Sequence, residues 1–285
     1  MFRLTCLALF ALILPGSALA APLELEPSSD WAMNYDMEAC RLTRSFGTGE
    51  EKVVVQFIRY MPGPGFEAIV AGKMLSPKGK QFEHRFFPGN EPSDERMPLF
   101  GEREDGLTVW QFNTGLIPEE ELEEMPGEGS ALRQRRIARE QVRAAEIRSF
   151  ELLKGVRQPV SLQTGPMDGA MMAMETCMDD LVREWGYDPL VQRERISAPE
   201  PKNVPARWIA SDDYPSTALR QKLSGTVRFR LDIDETGSVD GCVIQEAFSD
   251  PAFQEVTCKL IKKRARFEPA VGADGNRYDP SGEHR

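Results

Sequence analysis

The sequence predicts an α+β protein of two units: an N-terminal mixed antiparallel-sheet unit with helices, then a small β-β-α-β unit. Three observations carry this. Val227, Phe229, Leu231 and Ile233 alternate with Arg228, Arg230 and Asp232, the period of a half-buried strand. Met171, Met174, Met178, Leu181, Val182 and Trp185 recur at helical spacing, so Asp168–Trp185 reads as an amphipathic helix that Gly186 ends. Between 188 and 206 periodicity is lost and Pro189, Pro199, Pro201 and Pro205 appear, which marks a linker. The segments are therefore a leader (1–20), a first unit (21–187), a linker (188–206) and a last unit (207–285).

Met1-Phe2-Arg3 precedes an apolar run from Leu4 to Leu14, then Pro15-Gly16 and Ala18-Leu19-Ala20. A charged start, a short apolar core and a small-x-small site describe a cleavable secretory signal peptide, and the run is about half of the ~20 residues a membrane span needs. The chain has 285 residues, 41% of them hydrophobic, and net charge −10, which becomes −11 once Arg3 leaves with the leader. That charge lies in residues 21–200, while residues 201–285 are neutral. An acidic exported chain lacks the basic footprint that nucleic-acid binding requires.

Cys6 leaves with the leader. Cys40, Cys177, Cys242 and Cys258 remain, an even count that favours disulfides in an oxidising compartment, with three connectivities open. Cys242 shares a strand face with Ile244, and Cys258 borders the buried stripe of the following helix, so we expect Cys242–Cys258. Cys40–Cys177 then clamps the first strand region to the last helix of the first unit.

Within that unit Lys52–Arg59, Phe66–Ala71, Gln81–Phe87 and Leu107–Phe112 read as strands between turns such as Pro62-Gly63-Pro64-Gly65. Glu119–Glu124 reads as a solvated acidic loop. Leu132–Arg148 reads as an exposed, charged helix on which Arg136 pairs with Glu140. The methionine face of the next helix is explained by core packing.

In the last unit, Asp234-Glu235-Thr236-Gly237 supplies a hairpin turn and Val239–Phe248 the return strand. Asp250 caps a helix with Pro251 at its first position, and Phe253, Val256 and Leu260 form its packing stripe. Lys262-Lys263-Arg264 ends the helix, and Phe267 opens a third strand.

Catalytic and cofactor signatures are lacking. His84 stands between Phe82 and Phe86 on one strand face, the setting of a packed histidine, and no C-x-x-C, H-E-x-x-H or phosphate-loop motif occurs. Asp232, Asp234, Thr236, Gly237 and Asp240 match part of a calcium loop, but Val243 stands where the bidentate Glu belongs, so a turn is expected and no metal site. The rival to a binding protein is an exported enzyme with its catalytic groups in the first unit, around His84 or Asp179-Asp180.

Tyr214-Pro215, Ala218, Gly225-Thr226-Val227, Gly237-Ser238-Val239, Arg266-Phe267 and Pro269-Ala270 together resemble the C-terminal domain of TonB-family proteins, over about 207–278. One departure is Ala247-Phe248-Ser249, where many members carry Ser-Ser-Gly. The resemblance implies a periplasmic, non-enzymatic protein-binding module, contacting an extended segment of an envelope partner such as an outer-membrane transporter. Members that transmit energy carry a membrane helix and a long spacer, so here either an uncleaved leader serves as a marginal anchor or the domain is reused without energy coupling, and reuse is expected.

Edge-strand chemistry implies the same mode, because an unpaired strand presents N–H and C=O groups to another chain. The expected surface is Arg266, Phe267 and Glu268 on the rim of a three-stranded sheet, with Lys262, Lys263 and Arg264 steering an acidic partner. The same open rim would also permit self-association.

Overall fold

A computed structural model describes residues 21–89, 93–96, 98–248 and 250–277. The expected leader, Ser249 and His284 lie outside the described residues. The chain is α+β. Its first part runs β1 (Leu23–Leu25), β2 (Ala32–Tyr35), β3 (Cys40–Phe46), β4 (Val53–Arg59), β5 (Phe66–Gly72), β6 (Pro77–Phe87), β7 (Ser93–Arg96), β8 (Leu99–Glu102) and β9 (Thr108–Thr114). Then come α1 (Glu119–Glu124), α2 (Gly129–Glu146), β10 (Ser149–Val156), β11 (Val160–Leu162) and α3 (Asp168–Glu184).

Two sheets result. One is antiparallel in the order β2-β3-β4-β5-β9-β8, and the other is β1-β11-β10-β6-β7 with only β1 and β11 parallel. They and α3 enclose a core of 29 buried residues among those described, including Phe57, Phe86, Phe150 and Trp110. Met171, Met174, Met178 and Leu181 enter it from α3, as their spacing predicts.

Two expectations about this part need correction. Glu119–Glu124 forms the short helix α1. The helix expected at Leu132–Arg148 is α2, and it is not simply exposed: Glu140, Arg143 and Ala144 are buried. Glu140 pairs at 2.8 Å with Arg59, both side chains 1% exposed, and Arg59 also binds Glu175 on α3. Burial makes an internal partner necessary, so Glu140 is held by Arg59 while Arg136 donates to the Leu122 carbonyl.

The second part runs α4 (Pro189–Glu194), β12 (Glu200–Pro201), α5 (Ser216–Gln221), β13 (Thr226–Ile233), β14 (Val239–Phe248), α6 (Pro251–Arg264) and β15 (Phe267–Glu268). The stretch 188–206 is thus more structured than a spacer. Asp188 caps α4 by accepting from the Leu190 N–H, Arg193 pairs with Asp179 on α3, and Arg133 of α2 donates to the Arg193 and Arg195 carbonyls. β13 and β14 form the expected hairpin. Asp250 accepts from the Ala252 N–H to start α6. The deepest side chains of α6 are Thr257 and Ile261, one position beyond the expected stripe, with Phe253, Val256 and Leu260 half-buried. Trp208, Ile233, Val239, Ile261, Ala265 and Phe267 make a separate, smaller core.

Both disulfides are present. Cys40 at the head of β3 joins Cys177 on α3 with Cα atoms 6.0 Å apart, and Cys242 on β14 joins Cys258 on α6 at 5.6 Å. Closing the 16-residue separation restricts the unfolded chain by about 3 kcal/mol.

Candidate partner-binding surface

The residues expected to form the binding rim are close together at the end of α6 and along β15, but most are engaged within the chain. Arg264 makes a bidentate pair with Asp213, its Nη2 2.8 Å from Oδ1, and also donates to the Trp208 carbonyl. The hydrogen bond from Arg264 holds the Asp213 carboxyl down at about 2. Arg266 donates to the Lys263 and Ala265 carbonyls, closing the helix end. Phe267 is buried against Trp208 with ring centroids 5.4 Å apart. Lys262 and Lys263 are exposed and extend into solvent.

β15 does not complete a three-stranded sheet, which corrects the expected rim. The hairpin is a two-stranded sheet of its own, and β15 pairs antiparallel with β12, Glu200 opposite Glu268 and Pro201 opposite Phe267. Flanking contacts extend the closure. Ile196 N–H donates to the Val271 carbonyl at 2.7 Å, Lys202 N–H donates to the Arg266 carbonyl at 2.8 Å, and Lys202 meets Glu268 at 2.9 Å. The Asn203 amide donates to the Arg264 carbonyl, while its oxygen accepts from the Arg266 N–H and the Trp208 indole. The physical reason is local: the 196–203 segment arrives extended and rich in proline beside β15, and it supplies the backbone partners that β15 needs.

On its other side β15 touches the hairpin turn, where Phe267 N–H donates to the Gly237 carbonyl at 2.8 Å. Gly237 has φ +84°, and a Cβ there would lie 1.9 Å from the Phe267 carbonyl oxygen. Asp234 builds the same turn by accepting from the N–H groups of Thr236 and Ser238 and from the Thr236 hydroxyl. Partial burial works to raise its carboxyl, but these hydrogen bonds outweigh it and hold the group below the usual range. A side chain so used is a turn former. Among the described residues no group of three or more His, Cys, Asp or Glu is arranged to hold a metal ion.

The alternation that marks β13 as half-buried gives it a polar face, and that face lies against the first part of the chain. Arg228 Nη2 lies 2.5 Å from Glu67 Oε2, and its guanidinium sits 4.2 Å above the Tyr60 ring. Tyr60 donates its hydroxyl to Glu246 of β14. Arg230 stacks on Trp185 at 4.3 Å and meets Glu38 at 3.4 Å, and Tyr187 donates to Asp232. Gln245 donates to the Tyr60 carbonyl at 3.0 Å. Burial, then the carboxylates at their hydroxyls, push both tyrosines well above the ordinary phenol value. Beside this joint, Glu67, Leu99, Asn113, Thr226, Arg228 and Glu246 line a cleft of about 260 Å³. No sequence signal marked these partners; alternation gives the polar face of a strand but not what covers it.

The groups proposed for a rival enzyme are taken up structurally. His84 is 3% exposed among Phe82, Phe112 and Phe150, with Nε2 2.9 Å from the Thr114 hydroxyl, and burial lowers its pKa to about 4. Asp179 pairs with Arg193 and Asp180 with Arg183.

The motif residues can now be placed together. Ala218 and Ala270 are buried, Tyr214 stacks edge-on against Phe253 at 5.2 Å, Gly237 admits the Phe267 backbone and Phe267 fills the small core. Residues 211–281 match the Gram-negative bacterial TonB protein C-terminal family. No curated protein and no solved structure matches the chain. The motif residues within the matched stretch serve the turn, the core and the placement of β15. Among the described residues no helix is long and apolar enough to cross a membrane.

Proposed function

We propose that the protein acts in the periplasm, after loss of residues 1–20, as a non-enzymatic module that binds an extended segment of an envelope partner by strand addition. An outer-membrane transporter is the partner class the family match favours. The first unit, ending before the 188–206 connection, serves as the platform on which the TonB-type unit is held. Two disulfides fit an oxidising compartment. The observation that carries the proposal is the pairing of β12 with β15: this strand takes an extended, proline-containing segment along its outer edge, here one from the same chain.

Glu268 is the residue to test. Lys202 N–H bonds the Arg266 carbonyl, so by antiparallel alternation the pair two residues on, Glu200 and Glu268, also turn their backbone groups toward each other. Glu268→Pro deletes an edge donor at an exposed position and leaves the Phe267–Gly237 bond intact. Envelope extract passed over immobilised chain 21–285 should yield a partner with the native protein and lose it with Glu268→Pro. Equal recovery, with both proteins equally folded by circular dichroism, rules out this edge.

A further inference from the structure

We infer that residues 196–203 are an internal strand ligand, a strap that covers the β15 edge and opens without unfolding the module beneath it. The inference rests on the strand-addition reading and assigns the segment that a partner must displace.

The argument turns on what holds each side of β15. On the inner side, Phe267 is buried on Trp208, and its N–H is bonded to Gly237 at a spot where the two backbones meet too closely for any Cβ. That contact belongs to the small core. On the outer side the strap contributes backbone hydrogen bonds and the side-chain hydrogen bonds of Asn203, an exposed residue at its end. Residues 200–204 are all exposed, Ile196 is 49% and Val204 54% exposed, and the single ion pair, Lys202–Glu268, joins two half-exposed side chains. A segment without a buried apolar anchor, held through solvent-accessible bonds, belongs to the low-stability end of local opening.

A proline of the strap points to a closing role. Pro201 stands opposite Phe267, between the two pairs whose backbone groups turn toward each other, so its missing N–H falls on the outer side. A third strand therefore finds a poor template on the strap, and access to β15 requires the strap to leave. The tether through α4, held by Arg133 and Arg193, keeps the released strap at high local concentration, so a competitor must offer what the strap lacks. The partner that fits is an extended segment that pairs with the β15 edge and adds contacts beyond the exposed ones the strap makes.

Residue-resolved amide hydrogen exchange on the folded chain 21–285 tests this without a ligand. Phe267 N–H bonds inward to Gly237, whereas Val271 N–H bonds outward to the Ser197 carbonyl. The expected result is exchange at Val271 and Glu268 about 100-fold faster than at Phe267 and the β13–β14 ladder. A Glu200→Cys/Glu268→Cys variant joined by a short bis-maleimide linker should bring the outer amides back to the rate of the inner ones. Equal rates in the native chain overturn the strap, as does fast exchange that survives the cross-link. Neither readout involves a partner, so failure here leaves the capture experiment standing, and failure of capture leaves the strap standing.

Discussion

The two parts of the chain hold themselves together in different ways. In the first, 29 buried residues among those described form one continuous core between two sheets and α3, and the Arg59–Glu140 ion pair is buried with them. In the second, the core formed by the described residues is smaller, centred on Trp208, Ile261 and Phe267, and other devices supplement it. Those devices are the Cys242–Cys258 bridge, the Gly237–Phe267 backbone contact and a polar joint with the first part. The difference teaches where function can reside. A surface that depends on a few identifiable contacts can be remodelled by a partner, whereas one backed by a large core cannot.

The largest expected effect comes from attacking the small core where it has no slack. Gly237→Ala forces a Cβ into the Phe267 carbonyl at a backbone angle that alanine rarely adopts. We expect a loss of about 3 kcal/mol or more, confined to the second part. Amide exchange separates the two: protection should fall across β13–β14 and stay unchanged across β3–β5. A uniform loss would mean that the two parts unfold as one unit, and no loss would mean that β15 moves freely.

The next effect belongs to the large core and has the opposite locus. His84 carries a folded pKa of about 4 against 6.5 when unfolded, because its ring is buried. The unfolded chain therefore binds more protons between those values. Stability is complete above pH 6.5 and is lost as pH falls toward 4, by about 3 kcal/mol. Glu140, raised by burial, contributes with the reverse sign, so the comparison should be made against His84→Gln, which keeps a hydrogen-bonding partner for Thr114. Urea midpoints of the two proteins should diverge on acidification; parallel curves would refute the assignment.

Much of this architecture was readable from residue order, for reasons that are local. The β13–β14 alternation, the Asp250-Pro251 start of α6, the methionine face of α3 and the cysteine pairing each depend on spacing within one or two elements. β10 was missed because its two faces are both covered: Ser149 to Leu152 are all buried and leave no alternation to detect. β12 was missed because two residues flanked by prolines carry no strand signal until β15 is beside them. The joint was illegible for a related reason. Arg228 and Arg230 look like solvent-facing residues, and only the tertiary fold brings Tyr60, Glu67 and Trp185 beneath them.

That joint supplies the smallest effect and the sharpest test of the contrast between the two parts. Arg228 is 36% exposed on its side chain, while Glu67 beneath it is 5% exposed. Solvent screens one end of the pair, so the coupling is modest, but removing the guanidinium leaves a carboxylate buried without its cation. A double-mutant cycle with Arg228→Ala and Glu67→Gln should give a coupling of about 1 kcal/mol, with Arg228→Ala the more damaging single change. The variants should also loosen the hairpin against β4 and β5, read as faster exchange at β14, while α6 keeps its protection through Cys242–Cys258. If the coupling is zero and β14 exchange is unchanged, the charges merely decorate a contact held by Gln245 and the stacked rings, and the second part is then fastened to its platform by shape instead of by ion pairing.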